Sequence, residues 1–135
     1  MRELWIGGKP TPSRGGSPRV IEDPAALEAV DEVYEGTAAD VEAATQSASQ
    51  AQTHWRRVPA VERAHMLHEV AIALRADRSR LSELLTREGG KPRIENLDEV
   101  EWCAACFDYY AEIARNSHGS SIPPVADHQI NFTIK

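Results

Sequence analysis

Between Leu97 and Ala114 the apolar residues Leu97, Val100, Ala104, Phe107, Ala111 and Ala114 recur in alternating steps of three and four, without a miss. That is the period of an α-helix, and it predicts a long helix from near Glu95 to Ala114 whose stripe must be buried against another element. This is the strongest periodic signal in the chain, and it rules out an all-β architecture.

The remaining elements are read around it. From Met1 to about Tyr34 the sequence changes period over short distances. Gly7-Gly8, Pro10, Pro12, Gly15-Gly16 and Pro18 separate the strand candidates Leu4-Trp5-Ile6 and Arg19-Val20-Ile21. A further strand, Glu32-Val33-Tyr34, can pair with the second through the turn at Asp23-Pro24. Thr37 followed by Asp40 is a variant of the capping box, in which a hydroxyl accepts an orphan helix N–H, so a helix should start there. Its small apolar stripe runs Val41, Ala44, Ala48, Ala51, Trp55. Pro59 suits the first turn of a second helix with the stripe Met66, Leu67, Val70, Ala71, Leu74. The register breaks near Asp77. Leu81, Leu84 and Leu85 then continue until Gly89-Gly90, where a left-handed glycine stops the helix and Pro92 forbids its continuation. Beyond the long helix, Ser117 to Asp127 reads as a loop, and Gln129 to Ile134 alternates like a half-buried strand ending at or near the last residue. An unprotected edge strand is an unusual place for a natural domain to stop. From the residues alone the fold is small strands plus three or four packed helices.

Charge and composition exclude several classes of function. A formal net charge of -6, with no long run of Lys or Arg, argues against nucleic-acid binding, which needs a basic face. No apolar run reaches the roughly 18 residues of a membrane span, and Met1 to Gly8 lacks the pattern of a signal peptide, so the expected compartment is the cytoplasm. Two cysteines do not make a disulfide framework, in agreement with a reducing location.

Local chemistry is sparse. Trp102-Cys103-Ala104-Ala105-Cys106 has the form of a thioredoxin-type site, but that chemistry needs the first cysteine at a helix N-terminus. Here acidic, helical residues precede it, so Cys103 and Cys106 are assigned to packing. His65 and His68 are three residues apart with no carboxylate ligand at matching spacing and read as an exposed pair rather than a metal site. Gly7-Gly8 and Gly15-Gly16 do not form a phosphate-binding pattern and are assigned to turns. Asp98, Glu99 and Glu101 read as a solvated helix face. No residue is assigned a catalytic or cofactor-binding role.

The order of segments carries more than any one of them. Trp5-Ile6-Gly7-Gly8, Val20-Ile21-Glu22-Asp23-Pro24, Gly36-Thr37-Ala38-Ala39-Asp40-Val41 and Trp55-Arg56-Arg57 are followed by Pro59 to Arg63 and Glu88-Gly89-Gly90-Lys91-Pro92. Then come Phe107-Asp108-Tyr109-Tyr110-Ala111, Ile122-Pro123 and Asn131 to Lys135. This series resembles the start of the NAD(P)-dependent aldehyde dehydrogenase family, of the betaine-aldehyde-dehydrogenase kind, over essentially the whole chain. The departures are modest: Asp23 where the family usually has asparagine, Gly89 where threonine or asparagine is commoner, and no glycine turn after Asp23-Pro24.

The resemblance implies an α/β fold. Residues 1–115 would be an incomplete part of the nucleotide-binding domain, and 116–135 a loop and the start of an oligomerisation arm. In that family a cysteine nucleophile forms a thiohemiacetal, hydride passes to NAD or NADP, a glutamate base assists thioester hydrolysis, and an asparagine holds the oxyanion. None of those motifs occurs in these 135 residues. The expectation is an inactive N-terminal fragment that needs the remainder of the dehydrogenase fold or homologous subunits as partner and associates with itself. A non-catalytic helical interaction module is the alternative. Two sets of residues carry over from the family. Glu88, with backbone carbonyls near Ile21 and Glu22, matches a site for a structural monovalent cation. Glu99 and Trp102 fall where relatives line the mouth of the aldehyde tunnel, and a tryptophan there suits a cationic or aromatic substrate.

Overall fold

The computed structural model describes residues 2–116 and 118–134. Its N-terminal part is two antiparallel hairpins. In the first, β1 (Leu4–Ile6) pairs with β2 (Lys9–Thr11) across Gly7-Gly8, both at positive φ (64° and 77°). Two consecutive left-handed residues make the turn whose twist matches paired strands, which glycine adopts without strain. Sequence reasoning missed β2 because Pro10 argues against a strand, yet a two-stranded ribbon has an outer edge where no amide is needed. The second hairpin pairs β3 (Pro18–Glu22) with β4 (Ala29–Tyr34) around the expected Asp23-Pro24 turn. The Asp23 carboxylate accepts from the amides of Ala25 (2.8 Å) and Ala26 (3.2 Å), which fixes that turn.

Four helices follow: α1 (Ala38–Trp55), α2 (Ala60–Ala76), α3 (Arg78–Gly89) and α4 (Arg93–Asn116). Each begins and ends within a few residues of its sequence signal. Thr37 caps α1 with a complete capping box, Pro59 precedes α2, and Gly90 ends α3 at φ 70°. Packing is strongest between α2 and α4, then between α3 and α4, while α1 touches β1 and α3 touches β3.

The core is the seam between α2 and α4. Ala71, Ala104 and Ala111 are fully buried there, with Ala64 and Val100 nearly so. The α4 stripe read from the sequence is therefore the buried face, its remaining members Leu97, Phe107 and Ala114 being half-buried. The α2 stripe is rotated from its expected place. Ala64, Leu67, Ala71 and Leu74 face inward, whereas Met66 and Val70 are exposed. Alanines at the crossing let the two backbones approach, so the larger residues beside them turn outward. Along α1 the expected stripe is only partly covered: Ala44 is half-buried, and Val41, Ala48, Ala51 and Trp55 are exposed.

At the C-terminus the six-residue strand shrinks to β6 (Asn131–Phe132), paired antiparallel with β5 (Ser121–Ile122). β5 lies in the stretch read as loop, because two residues before Pro123-Pro124 are too few to show a period. Ser117, where that loop was to begin, and Lys135 fall outside the described residues. The mixture of helices and short strands agrees with the α/β class. Among the described residues no helix is long and apolar enough to cross a membrane.

Candidate functional site

The turn between α3 and α4 and the first three turns of α4 form an open cleft of ≈ 580 Å³ lined by Lys91, Glu95, Asp98, Glu99 and Trp102. Glu95, Asp98, Glu99 and Trp102 fall three or four residues apart, so one side of α4 presents them together. Trp102 is 76% exposed, leaving its ring available to a ligand. The Lys91 ammonium donates to Glu99 Oε2 at 2.8 Å and lies 3.9 Å from Glu95 Oε2. The hydrogen bond to Glu99 holds Lys91 above the usual lysine range, and Arg78 lies 3.6 Å from Asp98, so two cations are set against the three carboxylates of the cleft. Glu99 and Trp102, singled out from the sequence, are thus brought into one cleft. Lys91, Glu95 and Asp98 were not assigned to it; the three-and-four spacing along α4 was the available signal.

Glu88 stands exposed in the last turn of α3, one residue before its glycine end. α3 packs against β3, which carries Ile21 and Glu22, so the two halves of that ligand set lie on adjoining elements. Gly90 lies close against Pro24 at the same corner, where an added Cβ would meet Pro24 Cγ at 2.8 Å. Among the described residues no group of three or more His, Cys, Asp or Glu is placed to hold a metal, so carbonyl oxygens would have to complete any cation site at Glu88.

Two readings from the sequence are corrected. Cys103 and Cys106 are both exposed free thiols, not packing residues. The core side of α4 is taken by Val100, Ala104 and Phe107, and the two cysteines, three residues apart, fall together on one flank of that stripe. His68 is not half of an exposed pair. Its Nδ1 lies 2.7 Å from Asp108 Oδ1 and its Nε2 3.0 Å from Glu112 Oε1, while Arg75 Nη1 donates to Asp108 Oδ2 at 2.7 Å and Arg75 Nε to Glu101 Oε1 at 2.9 Å. Glu101 therefore belongs to an interhelical network, not to a freely solvated face. These partners are separated by up to 44 residues and become neighbours only once α2 and α4 pack.

The model of the aldehyde dehydrogenase family matches residues 12–135. The 4-(hydroxymethyl)benzenesulfonate dehydrogenase of Comamonas testosteroni is 40% identical over 90% of this chain and 25% of its own length. Betaine aldehyde dehydrogenase 1 of Oryza sativa subsp. japonica is 33% identical over 97% of this chain and 27% of its own. The crystal structure of PnpE in complex with nicotinamide adenine dinucleotide superposes with a TM-score of 0.91 at 26% identity, over 97% of this chain and 27% of that one. The chain belongs to the aldehyde dehydrogenase family. It spans about a quarter of the length of these relatives.

Proposed function

We propose that these 135 residues are the N-terminal part of a cytoplasmic, NAD- or NADP-dependent aldehyde dehydrogenase that oxidises an aldehyde to the carboxylic acid, and that they do not bind the cofactor or catalyse unaided. The single observation that carries this reading is the family match over residues 12–135, a region that spans about a quarter of each relative. Within it, residues 1–115 form an incomplete part of the nucleotide-binding domain. Residues 116–135, with the β5–β6 hairpin, begin an arm that pairs with the rest of the fold or with another subunit. The nicotinamide, when bound, would accept hydride from the substrate; these 135 residues would supply framework and tunnel mouth.

The cleft at Glu99 and Trp102 is the proposed mouth. Its carboxylates favour a cation, and the open tryptophan face adds cation–π attraction, worth about 0.5–1 kcal/mol at an exposed site. A quaternary-ammonium or aromatic aldehyde, of the betaine-aldehyde kind, is the substrate class this suits. Glu88 with the carbonyls of Ile21 and Glu22 is proposed to hold a monovalent cation, since all three donors are oxygens, which hard cations prefer.

The test is aldehyde-dependent reduction of NAD or NADP by the complete gene product, followed by the absorbance of the reduced nicotinamide. Turnover supports the reading. A folded, complete protein inert toward aliphatic, aromatic and quaternary-ammonium aldehydes would overturn it in favour of a non-catalytic interaction module. Trp102→Ala should raise KM for quaternary-ammonium aldehydes severalfold while leaving kcat near its original value, because the ring attracts substrate before and during reaction alike.

A further inference from the structure

His68 is half-buried on α2 with a carboxylate against each ring nitrogen, Asp108 at Nδ1 and Glu112 at Nε2, both from α4. A carboxylate offers only lone pairs, so each contact is a hydrogen bond only if that nitrogen carries a proton. Both nitrogens carry protons in the imidazolium alone; either neutral tautomer turns a lone pair toward an ionised carboxylate. The geometry therefore selects one protonation state without reference to any titration value.

We propose that His68 is a protonation-dependent clamp that ties α2 to α4, closed while the ring is an imidazolium and released as the proton leaves. The charged groups around the ring fit that role. From α4 it meets Asp108 and Glu112; Arg115 lies 3.9 Å from Glu112 on the outer side, one turn along the same helix. From α2, Arg75 binds the second oxygen of Asp108 and also Glu101, so it holds the carboxylate in place for His68. His65 and Glu69, 3.9 Å apart, form a separate exposed pair on α2. When His68 loses its proton, Arg75 is left to balance Asp108 and Glu101, and Glu112 keeps only its distant arginine.

The hydrogen bond to Asp108, then that to Glu112, hold the His68 imidazolium to higher pH than an ordinary histidine; the contacts to His68 and Arg75 hold Asp108 below the usual carboxylate range. The signs follow from linkage. Stability from a group raised in the folded state is fully present below the unfolded histidine value of about 6.5 and is lost as pH rises through the folded-state value. The Asp108 contribution is present above its unfolded value and is lost as pH falls through its depressed folded one. The clamp is thus strongest at weakly acidic pH, above the unfolded carboxylate value and below the unfolded histidine value, and loosens as pH rises through the folded-state value of His68.

The deciding experiment is an NMR titration of the histidine rings in the intact protein, with the denatured chain as reference. His68 should titrate above its value in the denatured chain, and Glu112→Gln and Asp108→Asn should each move it down. Stability to denaturant should fall as pH rises through the His68 midpoint. That slope should vanish in His68→Gln and persist in His65→Gln. A His68 midpoint equal to that of the denatured chain, or unmoved by both carboxylate variants, overturns the proposal. If His68→Gln does not fold, the ring titrations of the original protein and of Glu112→Gln still decide the matter.

Discussion

Gly90 shows how one residue fixes a corner of this fold. It ends α3 in the left-handed region at φ 70°, and a Cβ there would meet Pro24 Cγ at 2.8 Å. Its neighbour Gly89 has open space where a Cβ would stand and an ordinary φ. Gly90→Ala should therefore destabilise the protein by about 1–2 kcal/mol, the cost of a left-handed L-residue, while Gly89→Ala should be neutral or mildly stabilising. Chemical denaturation of the two variants checks the contrast. The glycine pair was legible in the sequence as a helix stop. Which of the two turns left-handed was not, because either glycine could end the helix, and the contact that leaves no room for a Cβ at position 90 comes from Pro24, 66 positions away. Cys103 and Cys106 teach the converse. Cysteine is so often buried that packing is the default reading, and only the angular position of the α4 stripe shows that both point away from the seam.

At the scale of elements, Asp40 joins the N-terminal hairpins to α1. Its carboxylate is buried and accepts from the Thr37 amide (2.8 Å), the Thr37 hydroxyl (2.8 Å), the Ser13 hydroxyl (2.7 Å) and the Arg14 amide (3.0 Å). The Thr37 amide foremost, then the Ser13 hydroxyl, hold it far below the usual carboxylate range, with desolvation opposing them. A depressed folded-state value means stability that is present above the unfolded carboxylate value and lost as pH falls toward the folded one. Asp40→Asn should then remove part of the acid dependence of unfolding and lower stability at neutral pH, read by denaturant melts across an acid series. The capping half of this arrangement was visible in the sequence as Thr37 and Asp40. The half from Ser13 and Arg14 was not, because nothing local pairs a turn with a helix start 26 residues on. The same division runs through the candidate site. Glu99 and Trp102 came from the order of family-like segments, and the three-and-four spacing of α4 could have added Glu95 and Asp98. The His68 network needed the packed helices, since its two sides share no sequence signal.

Across the whole molecule the apolar surface is extensive for so small a chain: Trp102 and Tyr109 on α4, and Ile130, Phe132 and Ile134 near the C-terminus, are all exposed. Trp102 and Tyr109 line one shallow surface cleft with Ala105 and Cys106, and an exposed apolar patch of this kind marks an interface. The β5–β6 hairpin is two residues per strand and leaves edge groups open to further pairing. The isolated 135-residue chain should therefore associate with itself on size exclusion, and Phe132→Lys, which puts a charge on the edge, should shift it toward monomer. A monomer at all concentrations, unaffected by the substitution, would count against an unfinished arm.

The claim that these residues are framework from a larger nicotinamide-dependent enzyme is tested most directly by calorimetric titration of NAD and NADP into two samples, the 135-residue chain and the complete gene product. One of the two dinucleotides should bind the complete protein with a clear heat, and neither should bind the 135-residue chain. Micromolar binding by the 135-residue chain, or no binding of either dinucleotide to a folded complete protein, would contradict the account.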